Sequence, residues 1–89
     1  MPRAKLRIAE EFSIGLSEIY SARLLSRIEK VVRSLVEFPE MGSPLARPSL
    51  TSQYGDNLRK IAIETFLIVY RCDGQTVDVL AFVYGPSVV

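Results

Sequence analysis

Residues 66–70, Phe-Leu-Ile-Val-Tyr, form an unbroken apolar run bounded by turn residues. A run this short and this rich in β-formers reads as a central strand covered on both faces. Its surroundings agree. Leu58–Thr65 precedes it, and Asp73-Gly74 then separates it from a second β-rich stretch, Thr76–Tyr84. Asp-Gly between two such stretches is a strong hairpin signal. In that last stretch Val77, Val79, Ala81 and Val83 alternate with Asp78, Leu80, Phe82 and Tyr84, the two-residue period of a pleated strand. The C-terminal third of the chain is therefore expected to be a three-stranded antiparallel sheet, and it needs a cover.

The cover is found upstream. From Glu10 to Glu37 the apolar residues Phe12, Leu16, Ile19, Leu24, Ile28, Val31, Val32 and Leu35 recur at helical spacing, with charges between them. The five-residue step from Ile19 to Leu24 rotates the stripe, which predicts a kink or break near Tyr20 and Ser21. Gly15 weakens the first part. Pro39 stops the helix at Glu37 or Phe38, because it has no N–H to donate and disfavours helical geometry before it. Ahead of the helical zone, Lys5–Ile8 alternates basic and apolar residues and reads as an edge strand. Between Pro39 and Asn57, clustered Pro, Gly, Ser and Thr read as a surface loop. The whole, 89 residues long, is expected to be one domain spanning residues 1–89, of α+β class, with helix on one face of the sheet.

Two arrangements of the helical zone are open. Unbroken, Glu10–Glu37 would measure about 42 Å at 1.5 Å per residue. A domain of this size has a radius of gyration near 12 Å and is roughly 30 Å across. The helix would overhang its sheet. Either the chain breaks sharply at Tyr20 and Ser21, or two chains exchange N-terminal segments in a two-fold homodimer. With no Gly or Pro at the turn, the exchange is the favoured expectation.

Composition narrows the chemistry. There is no histidine, which removes every imidazole-based triad, general base and zinc site, and the single cysteine, Cys72, cannot form an internal disulfide. No cofactor or metal is implied. A net charge of +1 does not announce a nucleic-acid binder. No apolar run is long enough to span a bilayer, and Met1–Ile8 lacks the apolar core of a signal peptide, so a cytoplasmic location without membrane attachment is expected.

Four residues are candidates for chemistry. Arg59 and Lys60 are adjacent in a strand and point to opposite faces, each either a solvated cation or a contact for phosphate or carboxylate. Arg71 is expected to pair across the hairpin with Asp78. Tyr84, like Tyr70, suits a sheet whatever its chemistry. Arg23, Arg27, Lys30 and Arg33, at i, i+4, i+7 and i+10, make a basic stripe on the helix: a solvated face, or a surface for an acidic partner. Cys72 reads as a structural thiol.

Several of these segments together resemble a known family. Ala22-Arg23-Leu24-Leu25, Ile28-Glu29 and Phe38-Pro39-Glu40-Met41-Gly42, followed by Leu58-Arg59-Lys60-Ile61 and Ile68-Val69-Tyr70-Arg71, are similar to segments of the RelE/ParE toxin superfamily. These are the toxin halves of bacterial type II toxin–antitoxin, or plasmid-stabilisation, modules. The resemblance covers about residues 5–85. It implies a β-strand, a helical hairpin and a three-stranded antiparallel sheet, and a cognate antitoxin as partner.

The ribonuclease branch cleaves mRNA on the ribosome with basic strand residues and a basic, aromatic C-terminal segment. Here Leu67 stands where that pattern has Arg, and Pro86-Ser87-Val88-Val89 follows Gly85. Arg59 matches a basic position of the pattern, and Lys60, Arg71 and Tyr84 are the remaining catalytic candidates. The ParE branch, which acts on DNA gyrase by binding, fits better, so an enzyme is not the first expectation. The alternatives are a ribosome-dependent mRNA endonuclease and a degenerate, non-toxic interaction or dimerisation module. Beside the ParE-like pattern the helical hairpin is also shortened by roughly ten residues after Tyr20. With 48% hydrophobic residues, the chain has more apolar side chains than one small core hides, and the antitoxin is expected to cover the excess.

Overall fold

A computed structural model describes residues 4–87. In chain order it contains β1 (Lys5–Ile8), α1 (Glu10–Ser17), α2 (Ala22–Ser34), β2 (Ser43–Pro44), α3 (Pro48–Tyr54), β3 (Leu58–Ile63), β4 (Phe66–Asp73) and β5 (Thr76–Tyr84), and closes on a 3-10 turn at Gly85–Ser87. The strands form one mixed sheet in the order β1-β5-β4-β3-β2. β1 runs parallel to β5, with Lys5 opposite Thr76 and Ile8 opposite Val79, and the other pairings are antiparallel. The α+β architecture stands as expected, with one strand more. That extra strand, β2, is two residues long and ends in Pro44, which is tolerable only at a sheet edge.

β4 lies at the centre, and Leu67, Ile68, Val69 and Tyr70 are all buried. Two clusters flank it. On one face α1 and α2 bring Phe12, Leu24, Ile28, Val32 and Leu35 against Ile68, Tyr70, Val77, Val79 and Phe82. On the other, Leu45 and Leu50 cover Leu58, Val69 and Ala81. Helix on one face alone was the expectation; the second cover comes from the segment read as a loop. Its short helix α3 has Pro48 at its first position, where the missing N–H costs nothing, and stops at Gly55 with φ +92°. Both signals also punctuate loops, which is why the segment was misread.

The alternation expected for β5 does not hold along its length. Val69 faces Ala81 but Tyr70 faces Val79, so Leu80 is an extra residue in the ladder. This bulge shifts the phase. Phe82 thus joins Val77 and Val79 beneath the helices, while Ala81 and Val83 go to the opposite face.

The long helix does not form. α1 and α2 are separated by Glu18–Ser21, and no Gly or Pro is needed because the turn is made by caps. The Ile19 N–H donates to the Leu16 carbonyl, and the Ser21 hydroxyl accepts from the Leu24 N–H at 3.2 Å as the N-cap of α2. Folding back keeps Phe12 buried and leaves a body of 35 × 31 × 21 Å with a radius of gyration of 12.3 Å. The premise for exchanging N-terminal segments, a helix too long for its own sheet, is therefore removed. α2 itself ends at Ser34, and a turn carries the chain on to Phe38, whose N–H returns to the Ser34 carbonyl.

Candidate functional site

The four candidate residues do not form one site. Arg59 sits opposite Tyr70 on the helix-bearing face, and its guanidinium Nη2 donates to the carbonyls of Gly42 at 2.6 Å and Glu40 at 3.0 Å. Beside it the Tyr70 hydroxyl accepts from the Gly42 N–H at 2.9 Å. A β-carbon on Gly42 would lie 2.6 Å from the Lys60 carbonyl oxygen and 2.7 Å from the Tyr70 hydroxyl, so only glycine lets this loop settle on the sheet. Arg59 is thus half-buried and engaged in holding the loop after α2, and its buried Nε has no hydrogen-bond partner among the described residues.

Lys60 and Arg71 share the opposite face. Lys60 pairs with Val69, and Arg71 is two residues further along β4, a diagonal neighbour. Arg71 is opposite Asp78 in register, as expected, but the expected ion pair is not made. The Asp78 carboxylate goes to Arg7 Nε at 2.7 Å, while Arg71 donates to the Tyr54 carbonyl at 3.2 Å. Tyr84 lies at the other end of the sheet, packed edge-on against Phe66 at 5.8 Å. From Phe66 to Arg71 along β4 is about 17 Å at roughly 3.4 Å per residue. A phosphodiester reaction needs its proton donor, acceptor and charge stabiliser within hydrogen-bond reach of one phosphate. These four side chains are not so placed.

Near the second face Tyr54 joins α3 to α1. Its hydroxyl donates to the Glu11 carboxylate, to which Gln53 also donates. Burial, then the hydrogen bond to Glu11 and the charge of that carboxylate, push the Tyr54 pKa up to about 12. Cys72 lies half-buried beside the exposed side chains of Phe38 and Met41. Among the described residues no three metal-binding side chains converge, and no helix is long and apolar enough to cross a membrane.

An apolar groove of about 440 Å³ runs between β1, α1 and α2. Leu6 and Ile8 supply one wall, Phe12 and Leu16 another, and Leu25, Ile28 and Val32 the third, with Ser13, Glu29 and Arg33 at the rim. Ile8 is 45% exposed in it. Both helices and the edge strand β1 contribute to its lining. Its individual residues were visible in the helical stripe and in β1. Leu25, offset from that stripe, was the one signal of a second apolar surface on α2.

Comparison with known proteins gives these features a context. The sequence model of a family described as the ParE toxin of type II toxin–antitoxin systems, parDE, matches residues 6–85. The chain belongs to the ParE toxin family. That places it among the toxin components of type II toxin–antitoxin systems, within the RelE/ParE superfamily. No curated protein matches it significantly. Among solved structures, a chain of the RelBE2 toxin–antitoxin complex from Mycobacterium tuberculosis is similar to it with a TM-score of 0.72 and 20% identity, over 92% of this chain and 98% of that one. At that identity the likeness is one of fold.

Proposed function

We propose that this ParE family protein acts by binding, that its target is a large complex such as DNA gyrase in the cytoplasm, and that a cognate antitoxin neutralises it by filling the groove between β1, α1 and α2. The observation that carries this reading is the groove itself. A soluble domain of this size rarely leaves so continuous an apolar cleft open unless a partner closes it, and an amphipathic helix is the element whose apolar face such a cleft fits. The solved complex of a structurally similar chain with its antitoxin is consistent with such a partner.

The scattered positions of Arg59, Lys60, Arg71 and Tyr84 favour binding over catalysis. A ribosome-dependent endonuclease is the second reading, and the observation on its side is that Lys60 and Arg71 lie diagonally on one face. The two are separated by adding purified protein to a gyrase supercoiling reaction and to translating ribosomes. Loss of supercoiling, relieved by the antitoxin, is expected. Codon-phased mRNA cuts that vanish with Arg71→Ala would establish the nuclease instead. Normal growth on overexpression of soluble protein would identify a non-toxic interaction module.

A further inference from the structure

Arg71 is half-buried, and among the described residues it makes no ion pair. The carboxylate opposite it, Asp78, is only 13% exposed and is taken from the other side by Arg7, so the one partner given to Arg71 is the neutral carbonyl of Tyr54 at 3.2 Å. A guanidinium drawn partly out of water without a counter-charge calls for an anion. Its surroundings form a site. Arg7 is opposite Asp78 across β1 and β5, and Asp78 is opposite Arg71 across β5 and β4, so the three stand in one cross-strand row on the face away from α1 and α2. The Cα atoms of the two arginines are about 10 Å apart at roughly 4.8 Å per strand. All three residues line a pocket of about 190 Å³, together with Ala9 and with Leu80, the extra residue that bulges β5. The same face carries Lys5 and Lys60, against Asp78 and Asp73. The Glu11 carboxylate is engaged by Tyr54 and Gln53 and does not line the pocket.

We propose that this pocket between β1, β5 and β4 binds a phosphate monoester group, held by Arg7 and Arg71, with Asp78 as the positioning residue that fixes the Arg7 guanidinium. The inference is independent of the groove between the helices, which lies on the other face of the sheet. Each guanidinium has donors to spare. Arg7 gives Nε to Asp78 and keeps both terminal nitrogens; Arg71 gives Nη1 to Tyr54 and keeps Nε and Nη2 as a parallel pair. A carboxylate has two oxygens and fills one such fork. A phosphate monoester has three unesterified oxygens and a charge near −2, so it can take both forks and supply the missing counter-charge. The pocket is also small, below the roughly 300 Å³ at which sites for larger organic ligands begin. It suits the oxyanion itself, with the remainder of the ligand left outside.

The test titrates the 15N-labelled full-length protein with inorganic phosphate, O-phosphoserine, acetate and dimethyl phosphate at pH 7.5 and 50 mM NaCl. The signals followed are the Nε–H groups of Arg7 and Arg71 and the backbone amide of Leu80. Inorganic phosphate and O-phosphoserine are expected to shift all three saturably and to bind at least 10-fold tighter than acetate or dimethyl phosphate. Arg7→Gln should weaken both by 5-fold or more. Arg71→Lys, which keeps the charge in its half-buried position but not the fork, should do the same and erase the preference over acetate. Arg23→Gln, on α2, should change nothing. Acetate binding as tightly as phosphate, or an equal loss with Arg23→Gln, would reduce the effect to a diffuse positive field and overturn the site. Dimethyl phosphate binding as tightly as phosphate would make it a reader of phosphodiesters, and exclusion of O-phosphoserine would restrict it to the free ion; either result overturns the monoester assignment.

Discussion

At Gly15, α1 runs against the backbone of β5, and a β-carbon there would lie 2.8 Å from the Phe82 carbonyl oxygen. In sequence this glycine reads as a weak point in a helix. In the fold it sets the distance of closest approach. Gly15→Ala gains up to about 1 kcal/mol of helix propensity but must push α1 off a backbone atom that cannot turn aside, an overpacking cost of about 1–3 kcal/mol. A net loss of stability is expected, read as a lower urea midpoint with unchanged slope. Tyr54 makes a pH prediction. Its pKa, 10.0 when unperturbed, stands at about 12 in the folded chain, so the folded state holds the phenolic proton more tightly than the unfolded one. The contribution is full below pH 10 and is lost as the pH rises through about 12. Ultraviolet titration of the folded protein should show one tyrosine ionising at about pH 12, and Tyr54→Phe should remove both that late step and that part of the alkaline destabilisation. Arg59, read as a candidate for phosphate, already commits its Nη2 to two backbone carbonyls.

Among the elements, the junction of α1 and α2 teaches most. Periodicity located the break, since a five-residue step cannot keep one stripe in phase, but the device that makes it is a single serine. Ser21 satisfies the Leu24 N–H, one of the orphan donors of the first turn of α2. Ser21→Ala is expected to cost about 1 kcal/mol, visible as a lower thermal midpoint. Its effect should fall on α2, detectable as faster amide exchange at Leu24 and Leu25. α3 shows the converse case. Pro48 and Gly55 bracket a seven-residue helix, yet so brief a segment is marginal alone and is held by Leu50 at 3% exposure and by the tie from Tyr54 to Glu11. The tie to Glu11 reaches across 43 residues, beyond what any local pattern records.

For the whole molecule, folding back the helices predicts a monomer. Sedimentation equilibrium on the isolated protein should return 10.0 kDa, whereas a stable species of twice that mass would restore exchange of N-terminal segments. The open groove makes a second prediction at this scale. Ile8→Asp, in the groove wall, should weaken antitoxin binding by 10-fold or more, on the order of 1.4 kcal/mol or above. Ile14→Asp, at a residue 56% exposed outside the groove, should leave it unchanged, a comparison made by titration calorimetry with the co-expressed antitoxin. What could be read without a structure was whatever the chain encodes in neighbours: β1, the helical stripe and its break, the β3–β4–β5 order, and the Asp-Gly turn, because periods of 2 and 3.6 residues follow from local backbone geometry. The phase of β5 past Leu80, the second cover over Val69, the diversion of Asp78 to Arg7 and the separation of Arg59 from Arg71 were decided in three dimensions. Each depends on which strand lies beside which, and that choice is made by burial summed over the entire sheet, a quantity no single segment carries.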